Sequence, residues 1–374
     1  MDGRNKITKN ERLLSLDALR GFDMLWITGG QKVIYALATL TGWPVFIWLH
    51  SQMKHVAWEG FAFYDLIFPL FLFLAGVSMP FSFGKRLERG DSKTSIYSHA
   101  FKRMVLLIIL GMLYNRILNF DTEHLRFASV LGRIGIAWFF AAFIFLNATL
   151  RWQIVWFWGL LILYNLMMQF IPVPGFGAGV FTLEGNFAGY IDRLFLPGKL
   201  YLEVLEPEGI LSTIPAISTA LMGVFAGTLL RSNEEKRSKF KKAMILLISG
   251  IIFLATGKMW GLFFPIIKNI WTSSFTLYAG GWSLVLLSVF YLLIDVWGFK
   301  KWSFFFVVIG LNPITIYMVQ YKIIDFNNIR DFFFGGIMQL VPESWSPLVG
   351  AIGYVACVWA FLYLLYRYKI FLKV

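Results

Sequence analysis

HSQMKHVAWEGFAFYDLIFPLFLFLAGVSMP, residues 50–80, is polar at its front and apolar behind. The front holds His50, Lys54, His55 and Glu59. The rear is an apolar run long enough to cross a bilayer, with one acid, Asp65, near its entrance. An ionisable residue in such a run is costly and points to function by default. The competing reading makes Asp65 a structural partner for an Arg or Lys on a neighbouring span.

Outward from this stretch, the same apolar signal recurs along the whole chain. Of 374 residues, 58% are hydrophobic and only 15% charged, where a soluble domain carries about 25% charged residues. The chain therefore reads as all-α, a polytopic transmembrane helical bundle. About ten spans are expected, near 18–40, 62–83, 103–120, 127–149, 152–171, 211–230, 243–264, 273–297, 303–322 and 347–366. A basic arm, 1–12, precedes them without the pattern of a cleavable signal peptide. With that arm in the cytoplasm, most of the 34 Lys and Arg fall on the cytoplasmic side, as the positive-inside rule requires. Both termini are then cytoplasmic, and His50 to Glu59 face outward. So does the Gly- and Pro-rich loop 172–210, a length that points to a functional or a disordered segment; its aromatic residues and hydrophobic patches favour an ordered lid. The whole chain, 1–374, reads as one membrane domain.

The net charge of +13 does not imply nucleic acid, because the basic residues lie between apolar runs rather than on one soluble face. Cys357 is the single cysteine, so no intrachain disulfide forms. No metal motif and no phosphate-binding loop occurs, and GFGAG at 175–179 lacks a preceding strand.

Four histidines occur, His50, His55, His99 and His124. His99 and His124 read as solvated loop residues, and His50 as interfacial. His55 precedes Glu59 by four residues, so a helix would put both on one face. An imidazole suits proton removal from an amine or hydroxyl near neutral pH. A histidine resting among lipid headgroups is the alternative. One straight helix over 55–65 would hold His55 and Asp65 roughly 15 Å apart. Contact between them requires a bend near Trp58–Gly60.

Other polar residues sit in or beside spans. Asp17 and Arg20 open the first, where snorkelling competes with function. Arg133 lies in the outer part of the fourth. Glu208 precedes the sixth, where capping competes with substrate binding. Asn312–Pro313 breaks the ninth at depth.

Several segments together resemble, in the same order, the heparan-α-glucosaminide N-acetyltransferase family: RLLSLDALRGFDML, MKHVAWEGFAFYDLIFPLFLFLAG, LGRIGIAWFF, EPEGILSTIPAI, PIIKNIWTSSFTL, GLNPITIYM and YRYKIFLKV. The resemblance runs from about Arg12 to Val374. Relative to the animal members, the chain is expected from this resemblance to lack an extra lumenal domain and a preceding span. The resemblance implies a bacterial inner-membrane enzyme. It would pass acetyl groups from cytosolic acetyl-CoA to a terminal glucosamine amine across the bilayer. His55 matches the family's catalytic histidine and Asp65 the acid of the following span. Arg133, Glu208, Asn269 and Asn312 carry over as site lining, with Asp17, Arg20, Lys54 and Glu59 as further candidates for substrate or CoA binding. Arg20, Arg86, Lys102 and Arg103 are candidates for the CoA phosphates. A homodimer is expected from the resemblance alone. Two alternatives stay open: acyl transfer to a cell-envelope glycan hydroxyl, and secondary transport of an amino sugar. A membrane scaffold is a third, weakened by acids and bases placed within spans.

Overall fold

A computed structural model describes residues 13–115, 117, 125–232, 237–320 and 323–372. The arm 1–12 and His124 lie outside the described residues. Within them, regular structure is helical apart from isolated bridges such as Glu59 with Ile267.

The chain enters through α1 (Leu14–Leu25), a π turn (Trp26–Gly30) and α2 (Gln31–Thr41). Thr28 and Gly29 leave helical geometry, with Gly29 at φ 113°, so the expected span 18–40 is broken midway. A short helix, α3 (Pro44–Gln52), follows, with Trp43, Ile47 and Trp48 exposed. Then come α4 (Phe63–Glu88), α5 (Lys93–Tyr114), α6 (Val130–Asn147) and α7 (Leu150–Phe170). The long loop carries α8 (Phe187–Phe195) and leads to α9 (Thr213–Arg231), α10 (Lys239–Trp260) and α11 (Ser273–Tyr291). The expected span 303–322 is two seven-residue helices, α12 (Phe304–Gly310) and α13 (Pro313–Val319). The amphipathic α14 (Phe326–Leu340) and α15 (Ser346–Arg367) end the chain.

Eight helices among the described residues are long and apolar enough to cross a membrane, so the chain is a multi-pass membrane protein. They correspond to eight of the expected spans; the other two are the interrupted segments just described. Backbone interrupted at membrane depth is tolerated where it is enclosed by protein or lines a cavity.

Without a hydrophobic drive between helices in lipid, close backbone approach through small residues supplies the packing. The α4–α9 seam works this way. A Cβ on Gly223 would lie 2.1 Å from the Phe73 carbonyl oxygen, and one on Gly227 would lie 2.3 Å from that of Val77. The two helices run parallel in contact, and α4, α6, α9 and α11 form the enclosed centre. Around them α5, α7 and α10 turn most of their surface outward, with Trp152, Trp156 and Ile252 exposed as lipid would demand. The end of the bundle where α4, α9 and α11 begin carries the irregular segments 53–62 and 261–272 and the long loop 171–212 with its helix α8.

Candidate active site

The site forms where two of these irregular segments cross. α3 stops at Gln52 and α4 starts at Phe63, leaving 53–62 non-helical. His55 and Glu59 therefore do not share a helix face; that expectation is corrected here. Gly60 takes φ 123°, a conformation that a side chain disfavours. Its N–H donates to the Ile266 carbonyl at 2.9 Å, and Glu59 bridges Ile267. The turn is pinned at three further points. The Tyr35 hydroxyl donates to the Met53 carbonyl (2.7 Å), the Trp58 indole N–H to the Phe181 carbonyl of the long loop (2.8 Å), and the Phe63 N–H to Gln52 Oε1 (3.2 Å).

This bend brings His55 back onto Asp65. His55 Nδ1 lies 2.7 Å from Asp65 Oδ1. Asp65 is fully buried in the first turn of α4, where its Oδ2 accepts the Ala62 N–H at 3.1 Å. The same oxygen takes the Val56 N–H at 3.4 Å. A carboxylate is acceptor-only, so Nδ1 carries the proton of the shared bond and Nε2 keeps its lone pair. This is the arrangement in which a carboxylate orients an imidazole as a base and offsets the charge it gains.

Lys268, from the crossing segment, completes the group. Its Nζ is 3.4 Å from Asp65 Oδ1, 2.8 Å from His55 Nδ1 and 3.1 Å from Nε2. The ring's two in-plane lone-pair directions diverge widely, so an atom this close to both nitrogens is aligned with neither. Lys268 therefore acts mainly as a charge beside the ring and as a partner of Asp65. Burial pushes the Lys268 ammonium below the usual lysine range, and the Asp65 carboxylate opposes that shift.

The group opens onto a cavity of about 760 Å³. The cavity descends along α4 past Tyr64, Phe68 and Phe71 and along α6 past Leu131 and Ile134. The interrupted helices close its far side with Met24, Ile27, Pro313 and Tyr317. Asn269, Asn115, Arg126, Tyr201 and Glu208 supply more polar lining. Arg126 Nε donates to Glu206 Oε2 at 2.9 Å, and its guanidinium also pairs with Glu208. It lies 4.6 Å from the Tyr201 ring centroid. Burial opposes ionisation here, yet the two carboxylates hold the Arg126 guanidinium firmly charged. Burial would also raise the Glu206 carboxyl, but its bond to Arg126 keeps it below the usual range, whereas burial leaves Glu208 raised.

The remaining expected residues are placed differently. Arg133 is buried behind the wall, bonded to Ser212 and 5.0 Å from the Trp271 ring. Asn312 is buried too, and it holds the carboxy-terminal segment rather than the cavity. Its Nδ2 donates to the Ile370 carbonyl (3.0 Å) and its Oδ1 accepts the Leu372 N–H (3.3 Å). Asp17 pairs with Arg20 at 3.3 Å, and Arg20 also reaches Ser78 Oγ at 3.1 Å. Lys54 and Glu59 are exposed and lie outside the cavity lining. Arg86 is paired with Asp91 (2.7 Å), Lys102 is exposed, and Arg103 lies 4.3 Å over the Trp138 ring. Among the described residues, no three His, Cys, Asp or Glu side chains meet as a metal site would need.

Lys268 and Arg126 were not singled out from the sequence. A lysine between apolar neighbours at the mouth of a span, as in FFPIIKNIW, was the available signal for the first. Arg126 stands in a short loop and has no local signature.

The chain matches two curated proteins named heparan-alpha-glucosaminide N-acetyltransferase. Identity is 27% with that of Mus musculus and 28% with that of Homo sapiens, each over 97% of this chain. The chain spans 60% of the length of these relatives. Residues 12–260, which hold His55, Asp65, Arg126 and Glu208, match the family model described as heparan-alpha-glucosaminide N-acetyltransferase, catalytic. By that match over most of its length, the chain belongs to the heparan-alpha-glucosaminide N-acetyltransferase catalytic family.

Proposed function

We propose that this protein is an acetyltransferase of a bacterial cytoplasmic membrane. It moves the acetyl group of cytosolic acetyl-CoA to the amine of a glucosamine-type sugar on the opposite face. The observation that carries this reading is the His55–Asp65 pair opening, beside Lys268, onto a cavity of about 760 Å³. The names of the two relatives support the acetyl donor and the amino-sugar acceptor.

In this reading the acceptor nitrogen attacks the thioester carbonyl, and His55 Nε2 takes the proton that the nitrogen sheds. Asp65 holds the ring and offsets the imidazolium charge. Lys268 and Asn269 are the groups suited to the oxyanion that forms. The C–S bond then breaks, and His55 returns its proton to the departing thiolate. A route through an acetyl group carried on His55 itself would use the same residues. The donor enters from the end of the bundle that carries Arg20, Arg86, Lys102 and Arg103.

One observation favours a second reading. The breaks at Thr28–Gly29 and before Asn312 lie next to cavity-lining residues, as the discontinuous helices of secondary transporters do. The discriminating experiment supplies labelled acetyl-CoA to purified protein with glucosamine or glucosamine-terminated oligosaccharides, beside His55→Ala. Transfer that stops with His55→Ala supports the assignment; transfer that persists removes His55 as the base. Acetylation of a glycan hydroxyl in place of the amine changes the acceptor. Uptake into vesicles without any transfer replaces catalysis with transport.

A further inference from the structure

Beside the cavity, three carboxylates, Glu206, Glu208 and Asp192, gather around two guanidiniums, Arg126 and Arg133. Arg126 is bonded by two nitrogens to Glu206, which is fully buried and does not line the cavity. Glu206 is further held by the backbone N–H groups of Tyr201 and Glu208, each at 3.1 Å. Glu208 is the second carboxylate on the same guanidinium, and it does line the cavity. Behind the wall, the buried Arg133 is attracted first by Glu208 and then by the buried Asp192. Lys268, also in the cavity lining, pairs with Asp65 at 3.4 Å. Lys268 and Asp65 cancel, while the two guanidiniums of Arg126 and Arg133 face three carboxylates, Glu206, Glu208 and Asp192. Of those three acids, Glu208 is the one that lines the cavity.

An aliphatic amino sugar arrives as an ammonium, which cannot attack a carbonyl. Acetylation must remove two protons from that nitrogen, and His55 returns the one it takes to the thiolate. Resting on the transferase reading above, we infer that Glu208 binds the acceptor's ammonium group and takes its first proton, so that the free amine is generated inside the cavity. The step balances. R–NH₃⁺ gives one proton to the Glu208 carboxylate. The amine then forms the C–N bond to the thioester carbonyl, and its second proton passes to His55 Nε2. The C–S bond breaks, and His55 protonates the thiolate. Amide and free thiol leave, and Glu208 releases its proton to solvent. Burial, which raises the Glu208 carboxyl despite Arg133 and Arg126, makes it a better proton acceptor than an exposed carboxylate.

The test compares two acceptors, glucosamine (charged) and p-aminophenyl glucoside, whose aryl amine is uncharged at neutral pH. Both are used with the native protein, Glu208→Gln and Glu208→Asp. Glutamine keeps the shape of the wall, and Arg126 keeps Glu206. With Glu208→Gln, kcat/KM for glucosamine falls relative to that for the aryl amine by about a hundredfold. Its pH profile for glucosamine then follows the free-amine fraction, dropping about tenfold per pH unit below the amine's own pKa. Glu208→Asp restores much of the native preference. An equal fall for both acceptors, or an unchanged pH profile, overturns the assignment and leaves Glu208 a structural partner of Arg126. Native protein that acetylates no amine overturns the transferase reading, and this inference with it.

Discussion

Replacing Asp65 with asparagine tests the centre of the site with little change of shape. In the native protein Asp65 Oδ1 holds His55 Nδ1 at 2.7 Å and Oδ2 accepts the Ala62 N–H at 3.1 Å. Asparagine has one acceptor oxygen, and Ala62 at the start of α4 claims it. The amide NH₂ then faces His55 and donates to Nδ1, which moves the ring proton to Nε2, where the lone pair is needed. A hydrogen bond to a charged group contributes about 1.5–3 kcal/mol. Lost from the transition state, that is about a 10- to 200-fold drop in kcat. The reversed tautomer adds to it, so at least a hundredfold loss is expected, at roughly the upper end of that range. The cap at Ala62 is kept, but Lys268 loses the carboxylate that offsets its burial, so some loss of stability is expected as well. The assay is single-turnover transfer from labelled acetyl-CoA to glucosamine, with thermal unfolding in detergent as a control. Asp65→Asn with kcat within about threefold of native and the same melting point would refute the tautomer argument.

Other outcomes follow from the same geometry. Lys268→Met leaves Asp65 with His55 as its remaining side-chain partner, and kcat should fall about tenfold or more as the oxyanion loses a cation; an unchanged kcat would make Lys268 structural. Gly223→Val puts a Cβ 2.1 Å from the Phe73 carbonyl oxygen and should destabilise the α4–α9 seam by about 3 kcal/mol, seen as early thermal unfolding. Asp192 is fully buried, and burial pushes its carboxyl up to about 6. Its folded pKa is thus above the unfolded value, so the stability it contributes is complete below about pH 4 and is lost as pH rises through 6. The loss is about 3 kcal/mol, and Asp192→Asn should flatten the stability profile between those two pH values; a profile that keeps its slope assigns the loss to another group.

The apolar runs alone determined that this is a helical membrane protein, because any segment in lipid must satisfy its own backbone. Eight spans were legible for that reason. The two interrupted ones read as ordinary spans, since hydropathy averages over a window and does not register a local break at Gly29 or Asn312. His55 and Asp65 stood out as ionisable groups at the edge of an apolar run. Their contact did not, because ten residues of separation mean 15 Å on a helix and 2.7 Å across a turn. The turn at Gly60 depends on the Ile266 carbonyl, which lies far along the chain. The same holds for the rest of the site. Lys268 meets His55 across 213 residues, and Arg126 meets Glu206 across 80. Such pairs are selected by which loops the helix packing brings to one end of the bundle. Arg133 and Asn312, prominent as polar residues within apolar runs, went instead to a wall turn and to the carboxy-terminal segment. The sequence thus determined the apolar spans and marked His55 and Asp65 as ionisable groups at the edge of one; packing at small-residue seams decided which charges face them.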